Sequence, residues 1–164
     1  MSYFTAITLV HTAISLVAIA AGAVAVVGLL RGGAYRTWTN AFLVTAIATS
    51  ATGFAFPFNG VTPAMTTGAI ALVILAAVLV ASRRLHAAQA WRRVYAAGMV
   101  ASLYLLVFVG VVQAFQKVAV LHALAPTQSE QPFLAAQLTT LAFFVVLGVL
   151  AARRYRPDLA LARA

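Results

Sequence analysis

The chain has 164 residues, 64% of them apolar, with 11 lysines and arginines against two acids and a formal charge of +9. A soluble domain carries about a quarter charged residues; only 8% are charged here, which excludes a water-soluble fold. The lack of cysteine removes disulfides, thiolate nucleophiles and cysteine-ligated metals, and the placing of every arginine between or beyond apolar stretches excludes nucleic acid, which needs a basic face.

Five apolar stretches follow one another, at about 4–30, 38–56, 63–81, 94–121 and 132–152. Each is close to or above the roughly 20 residues that cross a hydrocarbon core. Met1-Ser2-Tyr3 carries no basic charge ahead of the first stretch, so it reads as a retained helix and not as a secretory signal. Pro57-Phe58-Asn59-Gly60 closes the second with turn chemistry. Pro63 sits in the first turn of the third, where its missing donor costs least. The basic segment Arg83 to Arg93 precedes the fourth, and Ala125 to Gln131 precedes the fifth.

These spacings predict an all-α fold: one integral membrane bundle over 1–164, with five transmembrane helices. Arg31 and Arg36, then Arg83, Arg84, Arg92 and Arg93, then Arg153, Arg154, Arg156 and Arg163 share one side if there are five crossings. The positive-inside rule makes that side the cytoplasm, with the N-terminus outside and the C-terminus cytoplasmic. Trp38, Trp91, Tyr35, Tyr95 and Tyr155 are expected in an inner aromatic belt, and Tyr3 at the outer boundary. Small and hydroxyl residues form seams that should face inward: Thr5, Thr8, Thr12, Ser15 and Gly22; Thr45, Thr49 and Thr52; Gly98 and Ser102. Gly28 and Gly32 form a GxxxG pair, a weak dimer signal at the cytoplasmic end of the first helix.

The only acids, Glu130 and Asp158, lie outside the apolar stretches, so no carboxylate serves a midplane proton relay or sodium site. Polar groups gather instead toward the outer face. At about 1.5 Å per residue, His11 lies roughly 30 Å from Arg31, and Gln113 reaches the same level counted from Arg93. His11, Gln113, Gln116, Lys117 and Gln137 are therefore the candidate ligand-binding residues, forming an outward-opening polar pocket for a quinone carbonyl, a lipid phosphate or a haem propionate. The same residues also suit interfacial packing and headgroup contact. A haem held by His11 and His122 fails on depth if the fourth helix is straight, since His122 then lies about 13 Å farther out. His86 reads as a solvated loop residue. Tyr104 is expected to pack against Thr49 or Ser50, and Lys117 to pair with Glu130 across the outer face. No metal-spaced histidine cluster, phosphate loop or nucleophile elbow occurs, so a reaction has little support.

The run Val111-Val112-Gln113-Ala114-Phe115-Gln116-Lys117-Val118, continued by Leu124-Ala125-Pro126-Thr127-Gln128-Ser129-Glu130 and accompanied by Gly53-Phe54-Ala55-Phe56-Pro57-Phe58, resembles a stretch in small bacterial inner-membrane proteins without an assigned activity. The resemblance implies a multi-pass protein of the bacterial cytoplasmic membrane and adds no chemistry. The expected role is a non-enzymatic bundle that binds a lipophilic ligand (quinone, lipid or haem) or a partner subunit near the outer leaflet. The alternatives are an accessory subunit of a respiratory or other membrane complex, a small quinone or haem protein, and a homo-oligomer.

Overall fold

The computed structural model of the chain describes residues 3–56 and 63–156. The described residues are almost entirely helical: α1 (Tyr3–Leu30), α2 (Arg36–Thr52) continued by a 3-10 turn (Gly53–Ala55), α3 (Pro63–Ser82), α4 (Gln89–Lys117), a short α5 (Ala119–Leu124) and α6 (Gln131–Arg154). Four of them, α1, α3, α4 and α6, are long and apolar enough to cross a membrane. The second, with 17 residues, is shorter and less apolar.

The fourth helix differs from its expected range. It starts earlier, at Gln89, and ends at Lys117, where Val118 turns extended (φ −90°, ψ 114°) before α5 begins. A straight helix to Leu121 is therefore not formed, and the depth argument against joining His11 to His122 loses its premise. His122 stands exposed on α5.

Helix α4 is central, packed on α1, α3 and α6, while α2 lies mainly along α1 and touches α3. Glycine lets these helices approach. A Cβ on Gly22 would stand 2.7 Å from Phe42 of α2 and 2.8 Å from Leu103 of α4, so the three helices meet where only hydrogen fits. Gly28 lies against Tyr35, whose backbone nitrogen would be 3.1 Å from an added Cβ. Gly32 takes φ +88° and closes α1, with the Gly33 N–H bonded to the Gly28 carbonyl at 3.2 Å. This is a Schellman cap. Both members of the GxxxG pair thus serve the chain's own fold.

The core lies toward the end that carries the arginines. Leu29, Phe42, Val78, Ala96 and Met99 are fully enclosed there. Tyr95 and Tyr155 are buried, with ring centroids 5.3 Å apart, and so do not form part of a surface belt. Trp38 and Tyr35 remain exposed, and Trp91 lies under Arg84 at 5.2 Å. The Arg156 N–H bonds to the Gly32 carbonyl at 3.1 Å, tying the end of α6 to the α1–α2 turn. All arginines among the described residues fall at this end.

The opposite half is less enclosed. No residue of α1 from 5 to 17, of α3 from 65 to 70, or of α4 from 104 to 114 is buried. Helix α6 leaves Phe143, Val145 and Val146 more than half exposed. In water such surfaces would cost about 25 cal/mol per Å²; against lipid tails they cost nothing comparable.

The small-residue seams are only partly inward. Gly22, Thr49 and Ser102 are buried, but Thr5 and Thr12 are exposed. Three hydroxyls on the seams return to their own backbone: Ser15 to the His11 carbonyl at 2.7 Å, Thr45 to Ala41 at 2.6 Å and Thr52 to Ala48 at 2.8 Å. Such back-bonding satisfies a hydroxyl locally. Close glycine packing therefore joins the helices more than hydroxyl bridges do.

Candidate functional site

Helices α1 and α4 run antiparallel and are pinned by two approaches, Gly22 to Leu103 and Ile19 to Gly110. Continuing that pairing outward along both helices brings His11 level with residues 114–118. On α4 the buried positions Tyr95, Met99 and Ser102 form a ridge at steps of four and three, which continues through Leu106. Extended at the same spacing, the ridge reaches Gln113 and then Lys117, both exposed. The core-facing line of α4 thus ends in an amide and an ammonium at the level of His11. Lys117 lies within electrostatic range of the imidazole.

His11 is half-buried and bound across to α2, with Nδ1 2.9 Å from Thr52 Oγ1. Its ring meets Phe56 edge-to-face at 5.4 Å. The Thr52 hydroxyl has one hydrogen, and that hydrogen is directed at the Ala48 carbonyl, 2.8 Å away, with the Thr49 carbonyl at 3.1 Å. With that hydrogen so placed, Thr52 Oγ1 receives from the histidine. The proton of the neutral imidazole then sits on Nδ1, and Nε2 presents a lone pair with no partner within the described residues.

The other candidate residues are used differently. Gln116 donates to Gln128 Oε1 at 3.4 Å, and Gln128 donates to the Val112 carbonyl at 3.1 Å, which fastens the α5–α6 loop onto the end of α4. Gln137 is buried between α6 and α4 and donates to the Phe108 carbonyl at 3.3 Å, leaving its Oε1 buried without a partner. Both glutamines therefore act on the α4 side facing α6 and the loop, away from the His11 ridge. Gln113 and Lys117 carry no such bonds.

Lys117 and Glu130 do not pair. The Glu130 carboxylate closes its own loop, accepting from the Thr127 N–H at 3.1 Å, the Thr127 hydroxyl at 2.9 Å and the Ser129 N–H at 3.0 Å. Desolvation pushes its pKa up, but these local hydrogen bonds outweigh that and hold it below the usual carboxylate range. Local geometry wins because the loop amides are already within reach, whereas an exposed ion pair gains little. Sequence reasoning missed Thr127 and Gln128, although the S/T-x-x-E order of Thr127 and Glu130 is a visible turn signal. Tyr104 also departs from expectation: it faces α6, with Phe108 at 6.0 Å and Phe144 at 5.8 Å, and not Thr49 or Ser50.

The clefts lie elsewhere: a 550 Å³ hollow is lined by Val24, Tyr35, Arg36, Thr37 and Trp38, and a 330 Å³ groove lies between α4 and α6, lined by Ala97, Ala101, Tyr104, Phe144 and Gly148. The groove is apolar and belongs to the helix surface. Among the described residues no group of three or more histidine, cysteine or acidic side chains is drawn together. Compared with protein-family models, curated proteins and solved structures, the chain matches none.

Proposed function

We propose that this chain is a five-span protein of the bacterial cytoplasmic membrane, with its N-terminus outside, that holds a lipophilic ligand at the His11 end of the bundle near the outer leaflet. The five-span count is supported by α2 together with its 3-10 turn, which reaches about 31 Å at standard rises and so matches a hydrocarbon core of about 30 Å. It is supported also by the arginine-bearing segments lying together at one end. The orientation then follows from the positive-inside rule.

The observation that carries the ligand reading is the way the buried ridge of α4 gives out into Gln113 and Lys117 at the level of His11, in the half of the bundle where residues 5–17 of α1, 65–70 of α3 and 104–114 of α4 are not buried. Donors, an acceptor and one cation stand near one level at an apolar end of the bundle, the pattern that fixes the head of an amphiphile while its tail stays in hydrocarbon. The test is a mass spectrum of the lipid extract and an optical spectrum of protein purified in mild detergent, set beside a His11→Ala/Gln113→Ala variant. A lipophile retained by the parent and lost from the variant supports the reading; identical, empty extracts from both remove it in favour of an accessory subunit.

A further inference from the structure

Resting on that reading, we infer that the ligand is an anionic phospholipid whose headgroup carries a free hydroxyl, of the phosphatidylglycerol class, with its hydroxyl donated to His11 Nε2 and its phosphate held by Lys117 and Gln113. Three features define this choice. The first is the fixed tautomer. With Thr52 donating to the Ala48 carbonyl, His11 donates through Nδ1 and its Nε2 accepts. A ligand meeting that nitrogen has to bring an O–H or N–H of its own. A quinone, which offers only carbonyl oxygens, lacks one.

The second feature is charge. Lys117 is exposed at the end of α4, and the acid that might have neutralised it, Glu130, is committed to the Thr127–Ser129 turn. Among the described residues it is the one cation at this end of the bundle, so an anion is the complementary partner. Gln113, one turn below on the same ridge, adds amide donors. The third feature is position. The site lies at the level where α4 stops. A headgroup standing at the membrane surface fits such a place, with acyl chains lying along the exposed apolar flanks of α1 and α3.

The experiment compares three lipids added to delipidated protein in detergent: phosphatidylglycerol, phosphatidylmethanol, which keeps the anionic phosphate but has no hydroxyl, and phosphatidylcholine. Binding is read by native mass spectrometry. Phosphatidylglycerol should bind about fivefold more tightly than phosphatidylmethanol, the value of one net hydrogen bond. In His11→Phe that preference should vanish while both anionic lipids still outbind phosphatidylcholine, and in Lys117→Ala the preference over phosphatidylcholine should fall. Should His11→Phe not fold, Thr52→Val releases the tautomer with little change of shape and should weaken the same preference. Equal binding of phosphatidylglycerol and phosphatidylmethanol to the parent, or a preference that survives in the variants, overturns the hydroxyl assignment. If that happens while another lipophile is retained from the cell, the broader ligand reading stands; if nothing is retained, both fall.

Discussion

Gly22 offers the sharpest test of how the bundle is held. An added Cβ would lie 2.7 and 2.8 Å from two ring atoms of Phe42 and 2.8 Å from Leu103 Cδ1. Phe42 is fully enclosed and cannot swing aside, so the helices themselves must separate. Overpacking of this kind costs about 1–3 kcal/mol, and occasionally more; a valine places two further methyls in the same gap and recovers only part of the roughly 1 kcal/mol that glycine costs a helix. Gly22→Val should therefore destabilise by about 2–3 kcal/mol, a fall in Tm of roughly 5–10 °C for a chain of this size. Gly110 is the control, since it is exposed and its nearest neighbour would be Ile19 Cδ1 at 4.0 Å. Gly110→Val should stay within about 0.5 kcal/mol of the parent. Thermal unfolding of both variants in one detergent, followed by helical circular dichroism, gives the comparison. Equal Tm values would refute the three-helix contact at Gly22 and, with it, the α1–α4 pairing that sets the level of His11.

Topology is accessible because the chain has no cysteine of its own. Ala34→Cys and Ala87→Cys should react with a membrane-impermeant maleimide only after cells are opened, and Ser129→Cys in intact cells; Ala34 and Ala87 on opposite sides would contradict five spans. The Glu130 turn predicts a pH response. Its folded pKa is lowered, so its contribution to loop order is full above the unfolded value near 4.5 and is lost as pH falls through the folded value. Amide exchange at Thr127 and Ser129 should quicken in that acid range and not in Glu130→Gln, which should be loose throughout; an unchanged pH profile in Glu130→Gln would place the response in another group.

Much of the class and little of the detail is legible in the sequence. Apolar length, the spacing of arginines and the absence of acid within the apolar stretches are local properties, and they fix membrane character and the order of helices before any packing is known. The common level of His11 and Gln113 was also within reach, because helix rise converts residue number into depth. Azimuth was not. Helices that are apolar nearly all round carry no periodic signal of which face turns inward. The structure alone therefore decides that Tyr104 meets Phe144, that Tyr95 stacks on Tyr155 in the core, and that Gln137 reaches α4 while Lys117 stays free.

The end of α4 is the clearest case. Neither proline nor glycine marks Val118, yet the helix stops there and α5 departs from it. Folding of the 125–130 loop back onto the α4 terminus, through Gln128 and the Val112 carbonyl, is a long-range contact with no local trace. The partner of His11 is likewise 41 residues away, a threonine whose hydroxyl also bonds back to its own helix. Composition determined that this chain lives among lipids; the tertiary structure decided which atoms at its open end accept, donate and carry charge, because those roles depend on partners brought together only by packing.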